Sequence, residues 1–98
     1  MAINLQNLLK EKRAAILHIA ERHGARNVRI FGSVARGDFD EKSDLDFLVE
    51  MEPGRSLFDH ASLLVDLEKL LGCKVDVVSE KGIKARIRER VFREARPL

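Results

Sequence analysis

The stretch IFGSVARGDFDEKSDLDFLVEM, residues 30–51, decides how this chain folds. It sets two apolar runs on either side of a glycine-serine step, an arginine-glycine step and a polar segment, and it ends in two aspartates separated by one leucine. From Asp44 to Met51 the pattern alternates. Leu45, Phe47 and Val49 fall on one side, and Asp44, Asp46, Leu48 and Glu50 on the other, which is the period of a half-buried β-strand. Upstream, Asn27 to Phe31 reads as a short strand with Val28 and Ile30 on one face and Arg29 and Phe31 on the other. Gly32 breaks that strand, Ser33 to Gly37 can form a short helical turn, and Asp38 to Ser43 is a polar loop.

Working outward, Leu5, Leu8, Leu9, Ile16, Ile19 and Ala20 recur at three and four, which predicts an amphipathic helix from Asn4 to His23 closed by Gly24. After the Pro53-Gly54 turn, Ser56 with Asp59 three residues on resembles a capping box for a helix from Leu57 to Leu71, ended by Gly72. Its expected core stripe is Leu57, Phe58, Ala61, Leu64, Val65 and Leu71. Lys74 to Ser79 alternates again, with Val75 and Val77 toward the core and Asp76 and Val78 away from it. Ile83, Ile87 and Val91 then repeat at four in a basic helix that follows Gly82 and ends near Ala95, before Pro97. The order helix, strand, strand, helix, strand, helix predicts an α/β (α+β) domain, a small mixed β-sheet with helices packed on its Leu45/Val75 face.

A chain of 98 residues suits one compact domain, here residues 1–98, and no second core. Apolar residues make up 45% and charged residues 35%, a balance typical of soluble globular proteins. No apolar run approaches the roughly 20 residues that span a bilayer, and no signal peptide is evident, so the expected location is the cytoplasm. The single cysteine, Cys73, cannot form an internal disulfide, which agrees with a reducing compartment. His18, His23 and His60 have no zinc-site spacing.

Asp44 and Asp46 lie two apart on a strand, so both project from one face with α-carbons about 6 to 7 Å apart. Asp76, on the like face of the third strand, joins them if the two strands are neighbours. Like charges so gathered raise one another's proton affinity, and a hard divalent cation removes the conflict. Mg²⁺ is the natural choice, because it is held by one or two carboxylates plus substrate phosphates. Two such ions can activate an attacking hydroxyl and steady a leaving pyrophosphate. The phosphates need a cradle: Gly32 lets backbone approach closely, Ser33 offers hydroxyl and amide donors, and the turn that follows aims N–H groups at an anion. Arg36 either adds charge there or braces the turn.

Gly32-Ser33, ten intervening residues and Asp44-Leu45-Asp46 resemble the signature of the DNA polymerase β-type nucleotidyltransferase superfamily. The longer strings GSVARGDFDEKSDLDFLV and GRSLFDHASLLVDLEKLLGCKVDVVS resemble the minimal nucleotidyltransferases, or MntA-like antitoxins, over nearly the whole chain. The resemblance implies that Gly32 and Ser33 hold the triphosphate of ATP, that Asp44 and Asp46 bind metal, and that Asp76 is the third carboxylate. It also implies a partner, a HEPN-domain ribonuclease toxin, silenced by transfer of AMP from ATP to one of its tyrosines. Two other functions stay open: an antitoxin that acts by occlusion alone, and a small-molecule nucleotidyltransferase. The basic segment KARIRERVFREARP is either a docking surface or a self-paired solvated face, with Glu89–Arg93 and Arg90–Glu94 at helical spacing. With no Tyr or Trp in the chain there is little to stack bases on, so direct nucleic-acid binding is not expected.

Overall fold

The computed structural model of the protein describes residues 5–37 and 44–98. The predicted helix start at Asn4 and the polar loop 38–43 lie outside the described residues. Helix α1 (Leu5–Arg22) leads into β1 (Ala25–Phe31), a five-residue helix α2 (Gly32–Arg36) and β2 (Leu45–Met51). Helix α3 (Leu57–Leu71), β3 (Val75–Ser79), a 3₁₀ turn (Glu80–Gly82), α4 (Ala85–Glu94) and a short β4 (Arg96–Pro97) complete the chain. The sheet order is β3-β2-β1-β4. β1 runs antiparallel to β2 and β4, whereas β2 and β3 are parallel and joined through α3. No helix among the described residues is long and apolar enough to cross a membrane.

The alternation read from the sequence is the alternation that packs. Leu45, Phe47, Val49, Val75 and Val77 are buried on one sheet face beneath Leu5, Leu9, Ile16 and Ala20 of α1 and Leu63, Leu67 and Leu71 of α3. Removing Leu67 down to alanine in such a core costs about 2–5 kcal/mol, through lost transfer energy and the cavity left behind. The opposite face has a smaller cluster of Leu48, Ile83 and Val91, with Phe31, Val78, Ile87 and Phe92 against it. Helix α4 therefore covers part of the face that carries the aspartates. Arg29 and Arg88 stack on the Phe92 ring, 5.4 and 4.9 Å from its centroid, and Arg29 Nη2 lies 3.2 Å from Glu80 Oε1.

The sequence reading packs the helices on the Leu45/Val75 face, and α4 lies on the other one; three further features depart from that reading. β1 begins two residues earlier than expected, at Ala25. Its pairing passes from Arg26↔Glu50 to Arg29↔Leu48, so Asn27 and Val28 together oppose one residue. Asn27 takes the bulge with φ 53°. The extra residue shifts the phase of the strand, letting Ala25, Val28 and Ile30 all meet the core while Arg29 and Phe31 reach the other face. Second, the strand β4 follows α4 and pairs Pro97 with Arg29.

The third departure is a correction. The core stripe of α3 is Leu63, Leu67 and Leu71, with Leu64 and Leu70 partly buried. Leu57, Phe58, Ala61 and Val65, expected inside, are exposed. The capping box does form: Ser56 Oγ accepts from Phe58 N–H at 3.2 Å, and Asp59 Oδ2 accepts from Ser56 N–H at 2.8 Å. The rotation of the helix is set by its anchors to its neighbours. His60 Nε2–H donates to the Val77 carbonyl at 2.7 Å, and Asp66 accepts from His23 Nε2 at 2.6 Å. Both side chains flank the Leu63/Leu67 stripe and leave Phe58 and Val65 on the far side.

Candidate active site

The carboxylates meet across the sheet. In register, Phe31 of β1, Asp46 of β2 and Asp76 of β3 form one row over three adjacent strands, with neighbouring strands about 4.8 Å apart. Asp44 stands two residues before Asp46, just ahead of β2, with Oδ2 4.0 Å from Lys74 Nζ. The chain turns out of the row at Phe31 directly into Gly32, which brings the glycine-serine bend against Asp46. A Cβ placed on Gly32 would run into the Asp46 carboxylate, and its φ of +75° lies in the left-handed region. Glycine is therefore required twice, by backbone conformation and by the proximity of the carboxylate.

Ser33 sits in the first turn of α2, where the leading N–H groups have no intrahelical acceptor. Val34 is buried and anchors this short helix to the core, and Gly37 closes it with N–H bonds to the Ser33 and Val34 carbonyls. Arg36 Nη1 donates to Glu94 Oε2 of α4 at 3.2 Å, which ties α2 to α4. Its charge also acts on Asp46. Glu94, which helical spacing would pair with Arg90 one turn back, reaches across to α2. A clue was present in the sequence, since an acidic residue in the last turn of a helix opposes the dipole and needs a cation from elsewhere. The other expected pair, Arg93 with Glu89, is present at 3.2 Å.

The electrostatics of the row follow from its geometry. Asp46 is pushed up from 3.8 to about 6, first by burial, then by the charges of Asp76 and Asp44, with Arg36 opposing and Glu94 adding to the rise. A cation among these carboxylates would relieve that conflict, so the donor set fits a hard divalent ion. Among the described residues no three His, Cys, Asp or Glu side chains are gathered closely enough to enclose an ion alone. An ion here would need ligands from outside the protein, such as substrate phosphates, to complete its set. Asp44, Asp46 and Asp76 are the residues that would hold such an ion.

Residues 13–98 match the model of the nucleotidyltransferase domain family. The chain belongs to that family. This nucleotidyltransferase is 55% identical to a solved structure described as a candidate minimal nucleotidyltransferase, with TM-score 0.87 over 98% of this chain and 97% of the other. It is 42% identical over 76 residues to the protein adenylyltransferase MntA of Thermococcus cleftensis, which covers 78% of this chain and 77% of that one. The fold is also that of a chain in a toxin-antitoxin crystal structure with AMP-PNP, at TM-score 0.74 and 19% identity, covering 86% of this chain and 69% of that one.

Proposed function

We propose that this nucleotidyltransferase moves AMP from ATP to a tyrosine hydroxyl of a partner protein, a HEPN-type ribonuclease toxin, and thereby silences it. The observation that carries the reading is the Asp46–Asp76 row set against the Gly32 bend, with Asp44 beside it. The naming of the Thermococcus cleftensis relative as a protein adenylyltransferase supports the acceptor class.

In this reaction the hydroxyl oxygen attacks the α-phosphorus in line. A phosphodiester bond forms as the bond from α-phosphorus to the bridging α–β oxygen breaks, pyrophosphate leaves, and the hydroxyl proton passes to the carboxylate patch. Gly32 and Ser33 hold the β- and γ-phosphates through backbone N–H groups and the Ser33 hydroxyl, while Arg36 contributes positive potential from its seat on Glu94. Two Mg²⁺ ions, when bound, would supply the charge that lowers the pKa of the attacking hydroxyl and steadies the leaving group.

The test is transfer of label from α-labelled ATP to the purified partner. Label on a tyrosine of the partner, lost in Asp44→Asn/Asp46→Asn, is the expected result. Transfer at the wild-type rate by that variant would overturn the site. A variant that transfers nothing yet still protects cells from the toxin would favour occlusion instead.

A further inference from the structure

The carboxylate patch has a basic neighbour that the reading above leaves without a role. Lys74 precedes Val75 as Asp44 precedes Leu45, and Leu45 pairs with Val75 in the parallel register of β2 and β3. Lys74 therefore stands opposite Asp44 as Asp76 stands opposite Asp46, and alternation puts Lys74 and Asp76 on one face. The side chains agree, with Lys74 Nζ 4.0 Å from Asp44 Oδ2. The backbone beneath is tied down, since Leu45 N–H donates to the Lys74 carbonyl at 3.1 Å. The pair itself is open to water, Lys74 being 78% exposed and Asp44 43%. We propose that Lys74 is a specificity-determining residue of this site, which disfavours a bare divalent ion and favours one that arrives on a nucleoside triphosphate.

The charges around the patch carry the inference. Arg36 also borders it, but its guanidinium is answered by Glu94 of α4 at 3.2 Å. Lys74 has Asp44 as its one ion-pair partner among the described residues, and Asp44 is a carboxylate that a metal would use. A pair this exposed is weak, so an incoming ion displaces the lysine rather than being shut out by it. Displacement still has a sign. Bare Mg²⁺ approaching Asp44 meets the ammonium as a like charge, whereas the complex of Mg²⁺ with a triphosphate is a net anion, which the same ammonium attracts. The effect of Lys74 thus reverses with the charge of what binds, without any rearrangement of the fold. The nucleotide half of this inference rests on the transfer reading; the bare-ion half does not.

Two titrations of the full chain at low ionic strength test it. In the first, Mn²⁺ alone is added and the free ion is read by electron spin resonance. Lys74→Gln should tighten binding by about two- to fivefold, the range open to one exposed charge pair, and the gain should vanish on an Asp44→Asn/Asp46→Asn background. In the second, Mg²⁺ with a non-hydrolysable ATP analogue is titrated calorimetrically. Lys74→Gln should now weaken binding by about two- to fivefold, and Lys74→Arg, which keeps the charge, should stay near wild type in both titrations. Both differences should shrink in about 1 M salt, where screening acts within about 3 Å. In the transfer assay Lys74→Gln should raise KM for ATP and leave kcat within about twofold, as loss of uniform binding does.

All these variants should fold, because the Lys74 side chain is exposed and the bond to Leu45 uses its backbone carbonyl. Equal Mn²⁺ affinity in wild type and Lys74→Gln would overturn the proposal. So would a change of the same sign in the two titrations, or Lys74→Arg behaving as Lys74→Gln does. A chain that shows the reversal yet transfers no AMP sinks the transfer reading and leaves this one standing; a chain that transfers AMP without the reversal does the opposite.

Discussion

The two faces of one strand, β2, do opposite work. Leu45, Phe47 and Val49 are sealed beneath α1 and α3, while Asp44 and Asp46 alternate with them toward a face that α4 covers only in part, over Leu48. The first face lowers the free energy of the fold by removing apolar surface from water. The second raises it, because Asp46 is held at about 6 by burial and by its acidic neighbours. A site that needs concentrated negative charge is thus mounted on the most rigid part of the sheet, and its cost is offset across the thickness of a single strand.

The comparison breaks most sharply under Asp44→Asn/Asp46→Asn. Nucleotidyl transfer should fall by on the order of 10³-fold or more, since the proposed metal and phosphate charge stabilisation rests on these groups. The melting temperature of the metal-free variant should hold steady or rise, because the repulsion is gone; a large drop would show that the carboxylates are structural. On the other face, Leu67→Ala should cost about 2–5 kcal/mol in denaturant unfolding. The folded fraction should keep its KM for ATP, and a changed KM would mean that the two faces are not separable.

A pH series separates them further. The folded-state pKa of Asp46 is raised above its ordinary 3.8, so its contribution to stability is full below pH 3.8 and is lost as pH rises through about 6. The metal-free protein should therefore lose about 1 kcal/mol of stability between pH 4 and pH 7 from this half-exposed group, after allowance for solvent screening. Mg²⁺ should flatten that slope, and Asp46→Asn should abolish it. Asp59 and Asp66 shift the other way, Asp59 through its capping bond to Ser56 and Asp66 through its bond to His23. Their stabilisation is lost as pH falls below the ordinary carboxylate range, outside this window. The smallest effect belongs to Glu94→Gln, which weakens the Arg36 contact and removes one negative charge near Asp46. It should move the apparent Mg²⁺ midpoint only a few-fold, read by titration in the presence of ATP.

Much of this architecture was legible in the residues. Strict alternation in β2 and β3 assigns each side chain to a face from local pattern alone, and the two apolar sets and the three aspartates lie where that alternation puts them. The Ser56/Asp59 capping box was legible too, because cap chemistry is local. Helix α3 shows the limit. With apolar residues on both sides, periodicity has no preferred phase, and the choice between Leu63/Leu67 and Phe58/Val65 rests on what His60 and Asp66 reach. The bulge at Asn27, the pairing of Arg96–Pro97 with β1 and the Arg36–Glu94 bridge were equally out of reach, since each depends on a partner distant in sequence.

From local order alone the chain determined β2, β3, the ends of α3 and the sharing of one face by Asp44 and Asp46, because backbone geometry makes side-chain direction periodic. Only the tertiary structure decided that β3 lies beside β2 in the register that aligns Asp76 with Asp46, and that Gly32 folds against that pair. Those contacts join segments far apart along the chain. They form only when burial of Leu45, Phe47, Val75 and Val77 under a common roof fixes how the strands align.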